Sequence, residues 1–175
     1  MVLSNSRGPA TLTDVLAHLG PTAAAGTPQE AARAEIVLLA VGWPQIPHVV
    51  AGLSDWEGRI VIDATNQFAS PPPDWKIADL GGLTGSEYVA SLLPGARVVK
   101  ALNTLFGEYI AADPHHQAGR QLLFIAGDDT EAKARVSALT EGFGFATVDL
   151  GALREGGRLM QLGGPLSGLH ALKQD

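Results

Sequence analysis

At 175 residues the chain has the size of one ordinary domain and is long enough to bury a core. A formal charge of −6 and a pI near 5.3 argue against a nucleic-acid partner, which asks for concentrated Lys and Arg. The absence of cysteine excludes disulfides, thiolate catalysis and Cys-ligated metals. No apolar run approaches the ~20 residues a bilayer span needs, and no signal peptide is visible, so a cytoplasmic protein is the default expectation.

Taken in order, Met1-Val2-Leu3-Ser4-Asn5-Ser6-Arg7-Gly8-Pro9 reads as the tail of a strand entering a polar turn. Thr11, with Asp14 three residues on, is expected to cap a helix that buries Leu12, Val15, Leu16 and Leu19 and stops at Gly20-Pro21. Ala23–Gly26 reads as a short edge strand. Thr27-Pro28-Gln29-Glu30 is a capping box with proline at N1, so a short helix should run from 28 to about 34.

The stretch from Glu35 to Asn66 anchors the chain. Ile36–Val41 is an unalternated apolar run, which predicts a strand covered on both faces of a parallel sheet. Ile46, Val49, Val50 and Leu53 follow at helical spacing, with Pro44 and Pro47 placed where a first turn tolerates them. Arg59–Ile62 is a second buried strand and runs into Asp63-Ala64-Thr65-Asn66. Strand, helix, strand is a βαβ unit with a right-handed crossover. Ligands of such sheets sit at the carboxyl ends of the strands, here Val41-Gly42-Trp43 and Ala64-Thr65-Asn66.

Residues 67–82, including Pro71-Pro72-Pro73, form a long irregular loop, and loops of that length are more often functional than decorative. Thr84 and Glu87 make another capping box for a helix through Leu93. A strand over Arg97–Leu102, a helix near 105–112, a strand over Gln121–Ala126, a helix burying Ala132, Val136 and Leu139, and a strand over Ala146–Leu150 complete the pattern. The glycine-rich tail, 156–172, holds room for one short helix. With no repeat and no second domain visible, the alternation predicts one doubly wound α/β domain with a mostly parallel sheet.

Six blocks in one order then carry a resemblance. They are Leu3–Pro9, the Ala40-Val41-x-Trp43 strand end, Asp63–Asn66, Val98-Val99-Lys100-Ala101-x-Asn103-Thr104, Ala126–Asp129 and Gly156–Met160. Together they resemble the NADP oxidoreductases related to the deazaflavin-dependent NADP reductases, with the reductase domain of the STEAP metalloreductases a more distant relative. The resemblance implies a Rossmann-type domain and hydride transfer between NADPH and a deazaflavin, a flavin or another small redox acceptor. In that family a strand, a G-x-G-x-x-G turn and a helix come first. Here the chain begins at the strand after them, and neither Gly81–Gly85 nor Gly163-Gly164 takes the fingerprint's place between strand and helix. The expectation is a fold missing its first βα unit, from a late-placed start or a shortened chain. Alternatively, the leading strand pairs directly with Ile36–Val41, or a partner subunit donates a strand. Without the glycine turn, dinucleotide binding should be much weaker.

On the family's pattern, Ser4, Asn5, Ser6 and Arg7 form the turn after the strand where an NAD-preferring protein would place an acid. A hydroxyl and a guanidinium there suit a 2′-phosphate, so NADP is the expected cofactor; the alternative is an ordinary polar turn. Val41, Gly42 and Trp43 would lie along the dinucleotide, or else form a helix entry with a packed Trp. Ala64, Thr65 and Asn66 would reach the nicotinamide side, or else cap a turn. Asn103 and Thr104 would face the hydride acceptor, or else cap the next helix. Lys100 is expected to snorkel at the sheet's end, Asp128 with Glu131 to cap a helix, and His115-His116 to sit in a solvated loop. No general base is obvious, and Tyr88 and Tyr109 are poor proton donors; hydride transfer needs none, because the cofactor carries the reaction. The competing class is a non-catalytic nucleotide-binding or regulatory module that lost its glycine turn, and an S-adenosylmethionine methyltransferase is a weaker third. The Gly/Leu-rich tail and the 67–82 loop are the expected homodimer contact and active-site cover.

Overall fold

A computed structural model describes residues 1–53, 56–70 and 73–174. Two sheets organise it. β1 (Val2–Leu3) and β2 (Ala24–Ala25) form a parallel pair of their own. The main sheet begins with β3 (Ile36–Leu39), β4 (Ile60–Asp63) and β5 (Arg97–Ala101), parallel and adjacent. It turns antiparallel at β7 (Gly119–Gly127), which also pairs with the short β6 (His115–His116), with β8 (Ala146–Asp149) and with β9 (Leu172–Lys173). His115 and His116 therefore belong to a strand edge, not to a loop. β1 is hydrogen-bonded to β2 alone and does not close onto β3, so direct pairing of the leading strand with Ile36–Val41 is excluded. β1 and β2 thus form a sheet separate from the one that β3 opens.

The helices are α1 (Thr13–Leu19), α2 (Pro28–Ala31), α3 (Ile46–Ala51), α4 (Gly85–Ser91), α5 (Gly107–Ala111), α6 (Thr130–Gly142) and α7 (Glu155–Met160). Strand alternation sorts the core into two layers. Val61 and Val98 face Ile46 and Val50 of α3 and Val89 and Leu93 of the α4 region. Ile60, Ile62 and Val99 face Ala132 and Val136 of α6. Both capping boxes form as the sequence predicts, at Thr27/Glu30 and Thr84/Glu87. No helix of the described residues is long and apolar enough to cross a membrane.

Several expectations fail where a covering element is absent. Ile36–Val41 reads as covered on both faces, but Leu38 is 53% exposed. The α1 stripe is not buried either: Val15 and Leu19 are each 44% exposed and only Leu12 lies in the interior. Thr11 does not cap α1. Its hydroxyl donates to the Gly8 carbonyl at 2.8 Å and accepts from Asn5 Nδ2 at 2.9 Å, within a 3₁₀ turn over Pro9–Leu12. In α6 the third inward residue is Thr140, whose hydroxyl bonds Val136 O and Thr147, while Leu139 is 37% exposed. The 67–82 loop is partly regular, with Phe68 and Ile77 bridged antiparallel; Pro71 and Pro72 lie outside the described residues.

Candidate functional site

The carboxyl ends of β3, β4 and β5 are held level by their own backbone: Ala64 N donates to Leu39 O at 3.1 Å, and Asp63 stands opposite Lys100 in the β4–β5 register. These two residues are the charges closing two apolar strands, and both are buried, at 0% and 1% exposure. Lys100 does not snorkel. Its Nζ donates to Asp63 Oδ2 at 3.2 Å and to the Thr65 carbonyl at 3.0 Å. Asp63 Oδ2 also accepts from the Ser86 hydroxyl at the start of α4, and Oδ1 accepts from Thr65 N at 2.9 Å and Thr65 Oγ1 at 2.6 Å. Burial opposes the charged carboxylate. Lys100, Ser86 and Thr65 outweigh it and hold Asp63 below the usual carboxylate range. The pair thus clamps the Thr65–Asn66 turn from beneath. The Thr65 hydroxyl donates within that clamp.

Above the clamp lies a second polar layer. Leu102, just past β5, has φ of 67°, a left-handed conformation that an L-residue other than Gly, Asn or Asp rarely adopts. The kink delivers Asn103 to the end of β4. Asn103 Nδ2 donates to Asn66 Oδ1 at 3.2 Å and to Met160 O at 2.8 Å, while Asn66 Nδ2 donates to Asn103 O at 3.0 Å. With Nδ2 so committed, Asn103 Oδ1 is left buried without a donor; Gln67 Oε1 is in the same condition. Asn103 is therefore not a helix cap, since the following helix starts at Gly107 after Phe106. Thr104 is 2% exposed and its carbonyl accepts from Gly168 N, so it ties down the tail.

The remaining candidates are distributed around this centre. Trp43 is 8% exposed, packs on Tyr88 with ring centroids 5.5 Å apart, and borders Gly85. Gly42 has ordinary extended backbone, and a Cβ there would meet only Gln45 Cγ at 3.9 Å, so the position does not require glycine for a close approach. Val41 is partly buried and packs on the α3–α4 core layer. The Ser4–Arg7 turn stands at the end of β1, where Arg7 N donates to Asn5 Oδ1 at 2.9 Å. Ser6 and Arg7 are exposed, and Arg7 makes no salt bridge among the described residues. No hydrogen bond joins this turn to the Asn66–Asn103 centre among the described residues. Asp128 is not the α6 cap: Asp129 accepts from Ala132 N at 2.7 Å, and Asp128 instead accepts from Leu153 N at 2.9 Å. No group of three His, Cys, Asp or Glu side chains among the described residues could hold a metal. Tyr109 stacks on His170 at 4.1 Å, away from the clamp's hydrogen bonds.

Sequence reasoning missed Ser86, Gln67 and the roles of Asp63 and Lys100. The signal for the last two was present: opposite charges closing two neighbouring apolar strands. Glycine at the start of α7 has a packing reason. A Cβ on Gly156 would lie 2.7 Å from Leu150 O and 2.8 Å from the Ala126 Cβ, so only glycine lets α7 lie on β7 and bring Met160 to Asn103.

Comparison with known proteins agrees with this architecture. Residues 1–67 match the family described as NADP oxidoreductase, coenzyme F420-dependent. A solved structure of a hypothetical protein from Sinorhizobium meliloti is 42% identical with a TM-score of 0.93, covering 99% of this chain and 83% of that one. A protein of Arthrobacter sp. fb24, provisionally described as an F420-dependent NADP reductase, is 25% identical with a TM-score of 0.75 over 90% of this chain and 78% of its own. Metalloreductase STEAP3 of Rattus norvegicus is 32% identical over 139 residues, 78% of this chain; the chain spans 27% of the length of that relative. Residues 1–67 of the chain are thus similar to the NADP oxidoreductases, and nearly its whole length shares the fold of the Sinorhizobium meliloti protein.

Proposed function

We propose that the chain is one dinucleotide-binding domain that presents NADPH for hydride transfer to a small redox acceptor such as a deazaflavin or a flavin. The observation that carries this reading is the Ser6-Arg7 turn after β1, exposed and with its guanidinium free of a salt bridge among the described residues. Arg7 and Ser6 would hold the 2′-phosphate, for which a free guanidinium is suited by charge and bidentate geometry. Ala64, Asn66 and Asn103 would border the nicotinamide, and the buried acceptors left unsatisfied there fit a group that brings N–H donors. The bound cofactor supplies the hydride, so the protein's part is to orient the ring, exclude water and fix which face meets the acceptor. No proton need be held at the reacting atom. The Asp63–Lys100 clamp supports this indirectly, by fixing the turn that carries Asn66.

The test is calorimetric titration of the 175-residue protein with NADPH and NADH. Arg7→Ala should weaken NADPH about tenfold or more, the scale of a lost charge-assisted contact, and leave NADH unchanged. Equal affinity for the two nucleotides before and after the substitution would refute the reading.

A further inference from the structure

Residues 1–31, from β1 through α2, are bonded to one another and to little else. β1 pairs with β2, Ala24 N donates to Met1 O at 3.0 Å, and Gly26 N donates to Leu3 O at 2.8 Å. The Met1 amino group donates to Thr22 O at 2.9 Å, and Asn5 Nδ2 donates to Thr11 Oγ1 at 2.9 Å. α2 belongs to the same unit, because Val2 and Glu30 both crowd the place a Cβ on Gly26 would take, at 2.7 and 3.0 Å. The backbone bonds that leave the stretch go no farther than Ala32, Arg33 and Ala34. Among the described residues, no hydrogen bond or salt bridge joins 1–31 to 36–174.

The core divides at the same place. None of the three apolar clusters takes a side chain from 1–31, and Leu12, the one buried apolar side chain of that stretch, lies in none of them. Ala32 is the first residue to enter the main core. Beyond it Arg33 and Ala34 are exposed, and Glu35 is fixed to the body: its carbonyl accepts from Ile60 N at 3.0 Å and its carboxylate from Arg135 at 2.6 Å. We infer that residues 1–31 are a hinged lobe that pivots about 32–35 while the main sheet stays fixed. Swinging it breaks no hydrogen bond across the boundary. Val2, Val15 and Leu19 on the lobe and Leu38 on β3 are already between 44% and 53% exposed, so these side chains have limited burial left to lose. The lobe carries Ser6 and Arg7, whereas Asn66 and Asn103 ride on the sheet. A nucleotide that touched both would close the hinge, a consequence that, unlike the hinge itself, rests on the dinucleotide reading above.

The chain has no cysteine, so paired spin labels go only where they are placed. Exposed alanines on three helices supply the positions: Ala17 on the lobe, Ala134 on α6 and Ala51 on α3. Double electron–electron resonance on the full 175-residue protein should give Ala17→Cys/Ala134→Cys a distance distribution at least about twice as wide as that of Ala51→Cys/Ala134→Cys, which lies wholly within the body. Equal widths would overturn the hinge. Residual dipolar couplings of the unsubstituted protein decide the same question without labels: amides of 1–31 and of 36–174 should need two alignment tensors, and one tensor that fits both refutes the hinge. Saturating NADP⁺ should narrow the cross-hinge pair to the width of the control. If calorimetry shows NADP⁺ bound and the width is unchanged, the closure falls and the dinucleotide reading stands. If NADP⁺ does not bind, that reading falls, and the ligand-free widths still decide the hinge.

Discussion

Replacing Lys100 with methionine is the sharpest probe of the layer under the site. Methionine keeps most of the aliphatic volume and removes only Nζ, which serves Asp63 Oδ2 at 3.2 Å and the Thr65 carbonyl at 3.0 Å. Asp63 would keep its bonds from Ser86 and Thr65 but lose its counter-charge in a fully buried position. Removing one partner of a buried pair costs about 3–5 kcal/mol, a large share of the stability of an ordinary domain. The loss should depend on pH with a definite sign. In the wild type the folded-state pKa of Asp63 is depressed, so its contribution is present above the unfolded carboxylate range and vanishes as acid protonates the group. Without Lys100, burial dominates and the pKa rises above its unfolded value, so the folded variant binds the extra proton. Urea unfolding followed by circular dichroism should therefore show the Lys100→Met penalty shrinking from about pH 8 to about pH 5. Asp63→Asn combined with Lys100→Met should recover a substantial part of it, because no charge is then stranded. A single variant within about 0.5 kcal/mol of wild type, or a penalty that grows on acidification, would refute the assignment of a charged, interior clamp.

Three further outcomes follow from single positions. Leu102→Val should be less stable than Leu102→Gly, although valine keeps more apolar surface, because a β-branched side chain suffers most at φ of 67°; thermal melts that rank them the other way would remove the strain argument. Gly156→Ala should cost about 1–3 kcal/mol in urea titrations, since its Cβ would collide with the Leu150 carbonyl and the Ala126 methyl. Gly142→Ala, at the end of α6 with nothing within 4 Å of the added carbon, should stay within about 0.5 kcal/mol of wild type and serves as its control.

The parts of the fold governed by local rules were legible in the sequence. Thr27/Glu30 and Thr84/Glu87 announce their helices because a capping box is complete within four residues. β4 and β5 announce themselves because a strand buried on both sides has no polar alternation to blur it. The errors lie where a residue's burial depends on an element elsewhere. Leu38, Val15 and Leu19 have the spacing of core residues, yet each is about half exposed, and spacing cannot report how much of a face its neighbours cover. The reversal of β7 against β5 was likewise invisible, since strand direction leaves no mark on the composition of a run this apolar.

The candidate site shows the same divide more severely. Asn66 and Asn103 could be picked out from strand ends alone, because the carboxyl edge of such a sheet is where ligands gather. What those amides do there depends on Met160 and Gln161, nearly 60 residues beyond Asn103, and on Gly85 and Gln67 closing the circuit. An asparagine at a strand end reads equally well as a cap or as a ligand-facing group until its donors and acceptors are counted. Counting them decides the matter: both Asn103 donor contacts are spent on the protein, and only an acceptor is left over. Chemistry that accepts donors and offers no charge cannot bind phosphate and has no proton to give. In the function proposed above, recognition of the phosphorylated end would therefore fall to Arg7 and not to this layer.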